Sequence, residues 1–215
     1  MPAKIGCFII VAIILAVGGC RAKTDTSAPT IAKLNAQLKQ KFENPITHYQ
    51  LGKIYQQQGD WNKAASEYDL AVKFDPVFWD AQAAMVKVLR LAGEEEKAAQ
   101  TANTYIKAAS GFPEDSLELG RAFDRQNIDD AALSAYLQAL KLAPKSPVVN
   151  KQLGYYYLAR NNKDMAKTYL RRSFELDPYQ PDVAGELGKM GIMVKAPTPL
   201  PQTQTKPAPK PAPKK

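Results

Sequence analysis

Histidine is almost missing from this chain: His48 is the only one in 215 residues. A single histidine cannot build a histidine-ligand metal site and argues against histidine-based acid–base catalysis. Cysteine is scarce as well. Two residues, Cys7 and Cys20, exclude a disulfide scaffold and any cysteine-rich metal fold. Long apolar runs are lacking, which excludes a protein of several membrane spans. The sequence has no glycine-rich phosphate loop, no His-Glu-x-x-His and no nucleophile beside a base. It therefore reads as non-enzymatic, with no cofactor and no metal. The Glu94-Glu95-Glu96 run sits at a turn and opens a helix, where negative charge suits the N-terminal dipole.

What is present is the balance of a folded protein, 45% hydrophobic and 23% charged. Lys plus Arg number 29 against 21 Asp plus Glu, a formal net charge of +8 that suggests nucleic acid. Where the charge sits removes that suggestion. Residues 1–44 hold six basic and two acidic side chains, and residues 195–215 hold five basic and no acidic ones. The remaining stretch, 45–194, has 18 basic and 19 acidic residues and is close to neutral. No nucleic-acid partner is expected.

Lys4 precedes an uncharged run from Ile5 to Gly19, about 15 residues against the roughly 20 needed to span a bilayer. A basic start, a short apolar core and small residues at its end read as a secretory signal. Val17-Gly18-Gly19-Cys20 resembles the lipobox of bacterial lipoproteins. That resemblance implies a signal peptide over 1–19, cleavage before Cys20 and a diacylglyceryl group on its sulfur. Several acyl chains give stable anchoring where one binds only marginally. An ordinary secretory signal with an incidental cysteine is the alternative. Arg21 follows the anchor, where an Asp favours the inner membrane in enteric bacteria. The expected location is the bacterial cell envelope, lipid-anchored in the outer membrane and facing the periplasm. Residues 20–29 read as a membrane-proximal linker.

The mature chain repeats itself every 34 residues. Ala64, Ala98, Ala132 and Ala166 keep that interval, as do Leu51, Met85, Leu119, Leu153 and Leu187. Gly52, Val86, Gly120, Gly154 and Gly188 follow them directly, and Pro76, Pro144 and Pro178 end repeats. The pattern Leu51-Gly52, Tyr55, Ala64, Tyr68, Ala71, Pro76 resembles the tetratricopeptide (TPR) repeat. The resemblance implies an all-α, right-handed helical-hairpin solenoid of about four repeats, 45–78, 79–112, 113–146 and 147–180, inside a unit spanning 45–191. A small residue at the eighth position lets the two helices of a repeat approach closely. The second repeat departs most, with Val86 for glycine and Ala102 for the aromatic, and a looser or re-angled junction is expected there. Ile31, Leu34, Leu38 and Phe42 recur at helical spacing and predict an N-terminal capping helix over 30–44. Pro181 to Met190 predicts a solitary closing helix. His48, at the fourth position of its repeat, is expected to pack between helices.

Residues 195–215 contain seven prolines and five lysines and cannot build a core. This tail reads as a disordered, solubilising end, or as a cationic arm for an anionic envelope polymer, lipid headgroups or an acidic partner.

In TPR proteins the first helices line a concave groove. Carrying the groove positions over gives Lys53, Lys87, Arg121, Tyr155 and Lys189 at the ninth position, Tyr49 and Lys151 at the fifth, and Gln56, Arg90 and Arg125 at the twelfth and thirteenth. The resemblance implies that this face takes an extended or helical segment of acidic character, the alternative being a solvated face without such a ligand. The two-carboxylate clamp of chaperone-binding TPRs is not reproduced. The expected function is a non-enzymatic, lipid-anchored adaptor that positions a partner protein of the cell envelope, as in pilus or secretion assembly or cell-wall enzyme recruitment. The alternative is a structural tether from membrane to cell-wall polymer through the tail.

Overall fold

The computed structural model describes residues 28–195. Among them are ten α-helices and no strand: α1 (Ala28–Gln40), α2 (Pro45–Gln58), α3 (Trp61–Phe74), α4 (Trp79–Leu91), α5 (Glu95–Ala108), α6 (Pro113–Arg125), α7 (Asp129–Leu142), α8 (Pro147–Ala159), α9 (Lys163–Leu176) and α10 (Pro181–Lys189). One 3-10 turn, Ala109–Gly111, lies between α5 and α6. The signal, Cys20 and the tail beyond Lys195 lie outside the described residues.

Local chemistry sets each helix boundary. Proline opens α2, α6, α8 and α10, where its missing N–H costs nothing and its φ suits the first turn. The side chains of Asn44, Asp60, Ser146 and Asn162 accept from the backbone N–H three residues on. Between the two helices of each repeat the chain must turn through the left-handed region. Gly59, Gly93, Asn127 and Asn161 supply it, with φ of 79°, 81°, 56° and 57°. The N-terminal helix runs over Ala28–Gln40 rather than 30–44. Lys41 to Asn44 form a connector instead, because Asn44 is spent as the cap of α2.

Paired helices pack through small-to-large contacts. A Cβ on Gly52 would stand 2.6 Å from Tyr68 Cε1, one on Gly120 2.5 Å from Tyr136 Cδ1, and one on Gly154 2.5 Å from Leu170 Cδ2. Ala64, Ala132 and Ala166 are wholly buried beside these contacts. The second repeat inverts the arrangement: Val86 is buried where the glycine stood, and Ala102 replaces the ring. α4 and α5 accordingly approach less closely than the other hairpins, and α4 packs against α6 as well.

The fourth position of each repeat stitches it to the one before. His48 Nε2 bonds the Phe42 carbonyl at 2.9 Å, Gln82 Nε2 donates to the Pro76 carbonyl at 2.7 Å, and Asn150 Nδ2 to the Pro144 carbonyl at 3.3 Å. Ser116 Oγ donates to the Ala109 carbonyl at 2.9 Å. All four side chains are buried. A buried polar group needs a partner, and the connector, which leaves the helical ladder, provides free carbonyls. His48 packs edge-on to Phe42 and beside Phe74, so it is a packing residue, and its Nδ1 also lies 2.7 Å from Glu67 Oε2.

Candidate functional site: the face formed by the first helices

The first helices α2, α4, α6, α8 and α10 are linked to one another by side chains, and this defines one continuous face. Tyr49 of α2 packs with its ring tilted against Phe78, 4.9 Å between ring centres, and against Tyr68. Burial pushes its phenol up, the Asp80 charge adds to that, and Arg125 opposes it. Three repeats therefore converge at Tyr49, Asp80 and Arg125. Arg125 Nη2 of α6 donates to Asp80 Oδ1 of α4 at 2.6 Å. Arg121 Nε of α6 donates to Gln152 of α8 at 3.2 Å, while its Nη1 lies 2.5 Å from Glu118 Oε1. Lys151 Nζ of α8 lies 2.5 Å from Asp182 Oδ2 of α10, and Tyr155 donates to the same carboxylate at 3.1 Å. Burial first, then that hydrogen bond and the charges of Asp182 and Glu186, push the Tyr155 phenol up to about 12.

Most of the cations expected to form a stripe are paired with carboxylates, Arg125, Lys151 and Arg90 across repeats and Arg121 and Lys189 within their own helices. Arg90 turns away toward the start of α7, where Nη2 lies 2.8 and 2.6 Å from the two oxygens of Asp130. That bond holds the Asp130 carboxyl below its usual range. Gln56 accepts from Tyr68 at 2.7 Å inside its own hairpin, and Lys189 pairs with Glu186 at 2.8 Å. Lys53 lies over the Tyr49 ring at 5.6 Å. Lys87 makes no hydrogen bond or ion pair with the described residues. Of the cations expected on this face, Lys53 and Lys87, in the first two repeats, are left without a carboxylate among the described residues, and Lys53 lies beside Tyr49.

One cluster was not foreseen. Arg160, just past α8, donates to Asp124 at 2.8 Å and to Asp129, and its guanidinium stacks 3.7 Å over the Tyr156 ring. Burial disfavours its charge, but the bonds to Asp129 and Asp124 outweigh that and raise its pKa. The only trace in the sequence is an opposite charge roughly one repeat earlier, a spacing that many unrelated pairs share. Among the described residues no group of three His, Cys, Asp or Glu side chains could hold a metal ion, and no helix is long and apolar enough to cross a membrane.

Sequence models of the tetratricopeptide repeat match residues 45–76 and 152–180. The chain carries TPR repeats, arranged as an all-α solenoid of helical hairpins. It is 27% identical over 150 residues to the anaphase-promoting complex subunit CDC16 of Saccharomyces cerevisiae, covering 67% of this chain and 18% of that protein. It is 27% identical over 125 residues to the human protein O-mannosyl-transferase TMTC1, covering 58% of this chain and 14% of that one. The chain thus spans less than a fifth of the curated relatives it matches. Among solved structures, pilF of Pseudomonas aeruginosa is 26% identical, covers 68% of this chain and 69% of its own, and has a TM-score of 0.37.

Proposed function

We propose that this protein is a non-enzymatic adaptor of the bacterial cell envelope, anchored through lipid on Cys20 in the outer membrane and facing the periplasm. Its first-helix face takes an extended or helical segment of a partner protein, with acidic side chains. The observation that carries the reading is the division of charge on that face. Arg125, Lys151 and Lys189 are held by carboxylates. Among the described residues Lys87 has no partner and Lys53 has only a ring. A free ammonium on a half-buried face gains a charge-assisted bond from an incoming carboxylate without first breaking one. Tyr49 offers an aromatic surface next to Lys53, and Arg121, Tyr155, Arg90 and Gln56 are engaged within the solenoid itself. TPR repeats support binding of a protein or peptide in general terms, whereas the acidic character rests on Lys53 and Lys87.

The test is crosslinking in the native cell, with mass spectrometry of the captured partners, for the parent and for Lys87→Glu plus Arg121→Glu. The double variant is expected to lose the principal partner and to lower its affinity in a direct assay by at least about tenfold. Unchanged capture by a folded double variant would show that this face is not the binding surface.

A further inference from the structure

Antiparallel hairpins place the connectors α1–α2, α3–α4, α5–α6, α7–α8 and α9–α10 on one edge of the solenoid, and the turns inside the hairpins on the other. Every one of these connectors presents a large apolar side chain to solvent. Phe42, Val77, Phe112 and Tyr179 stand within four of them, and Leu142 and Val148 flank the fifth. Val77 is 60% exposed and Phe112 66%, so neither belongs to the core. Among the described residues the hairpin turns hold no such side chain, and only Leu91 stands beside one of them. Single exposed apolar residues are ordinary on a surface; their recurrence in every connector of one edge is not.

The same edge carries a ladder of cations. Lys39, Lys73, Lys107 and Lys141 recur every 34 residues, in the last turns of α1, α3, α5 and α7. Lys41 and Lys145 lie in connectors. All six are exposed, and their ammonium groups make no ion pair with the described residues. A helix C-terminus favours a cation, which accounts for the four lysines of the ladder but not for the apolar side chains beside them. The carboxylates of this edge are mostly engaged. Asp75 and Asp177 accept from the N–H groups of Val77 and Tyr179 at 3.2 and 3.0 Å. Asp80 and Asp182 are held by Arg125 and Lys151, and Glu175 by Arg171. Glu43, Glu114 and Asp115 have no partner among the described residues, three free carboxylates against six free lysines.

We propose that this edge docks on an anionic lipid bilayer, with its apolar tips in the headgroup–acyl boundary and its lysines at the headgroup phosphates. Apolar side chains gain by leaving water at that boundary, and lysines are drawn to anionic headgroups. The long lysine stem lets the ammonium stay among the headgroups while a neighbouring tip sinks deeper. A soluble polyanion would satisfy the lysines but leave the apolar tips in water, so the pairing of the two favours the bilayer. No described helix is long and apolar enough to cross a membrane, so the contact is made at the surface. It uses neither Lys53, Lys87 nor Arg121, and therefore stands or falls separately from the adaptor reading.

The apolar run 5–19 draws the full chain to any bilayer, so the test reads orientation rather than binding. In a Cys7→Ser, Cys20→Ser background, single cysteines carry an environment-sensitive dye. Ala108→Cys and Pro178→Cys report on the connector edge, and Glu96→Cys and Lys163→Cys on the opposite one. Vesicles contain equal parts phosphatidylcholine and phosphatidylglycerol, with brominated acyl chains as quencher. Dyes at 108 and 178 are expected to shift to the blue and to be quenched, and dyes at 96 and 163 to stay unchanged. That signal is expected to be lost on pure phosphatidylcholine. It is also expected to be lost in Lys73→Glu plus Lys107→Glu plus Lys141→Glu, and in Val77→Ser plus Phe112→Ser, both with unchanged circular dichroism. Equal quenching at the two edges, or quenching that survives in either folded variant or on neutral vesicles, overturns the proposal. So do connector-edge dyes that ignore vesicles but respond to polyphosphate, which would assign the lysines to a soluble polyanion.

Discussion

Gly120 shows how far a single residue is determined by what it touches. Any Cβ there would stand 2.5 Å from a ring atom of Tyr136, which is wholly buried. Replacing glycine by alanine in a helix interior gains up to about 1 kcal/mol in propensity. Overpacking a filled core costs about 1–3 kcal/mol. Tyr136 is held by Leu119, Phe123 and Ala132 around it and has little room to move, so the overpacking term wins. Gly120→Ala is expected to lower stability by about 1–2 kcal/mol, read as a fall of several degrees in Tm by circular dichroism. An unchanged Tm would show that the ring can shift. This contact was legible in the sequence as a glycine and a large residue sixteen positions apart at a fixed period. The stitching of His48, Gln82, Ser116 and Asn150 to connector carbonyls was not, because four different residue types share that position. Only their common burial reveals the common role.

Among the second helices of the four repeats, α5 is the one without a large side chain packed into its hairpin. Its position facing α4 is filled by Ala102 against Val86, so the ring that locks the first and third hairpins is absent. No side chain caps its first turn, and the 3-10 turn replaces a proline-bounded connector at its end. Local opening is favoured where few large side chains are buried. Amides of α5 are expected to exchange with solvent faster than those of α3 and α7 in native-state hydrogen exchange. Equal protection of the three would show that the Val86–Ala102 pairing fills the space as well as glycine and tyrosine do. The departure of this repeat was visible in the sequence. Its consequence, α4 leaning toward α6, needed the coordinates.

Ionisable groups spread over the whole solenoid set its response to pH. Burial first pushes the phenols of Tyr105 and Tyr155 up to about 12 from the ordinary 10.0, and raises Tyr68 and Tyr136 as well. A raised folded value means that the un-ionised form is favoured by folding. That stability is complete below pH 10 and is lost as pH rises toward about 12. At the acid end, the hydrogen bonds from Arg90 to Asp130 and from Lys151 to Asp182 hold those carboxyls below the ordinary 3.8. Their contribution is present above that value and is lost as pH falls through the folded ones. Tm is expected to be flat around neutrality, to fall steeply between pH 10 and about 12, and to fall again in acid below 3.8. A Tm that holds from pH 10 to about 12 would contradict the burial of these phenols.

The sequence by itself determined the period, the helix starts, the turns and the small-to-large contacts within hairpins. Each depends on residues near one another along the chain, and the small-to-large contact recurs in every repeat but the second. Only the tertiary structure decided which cations remain free. Arg125 finds Asp80, Lys151 finds Asp182 and Arg160 finds Asp124 across repeat boundaries. Those pairings depend on the angle at which one hairpin stacks on the next. That angle comes from the summed packing of many side chains and leaves no periodic mark in the sequence.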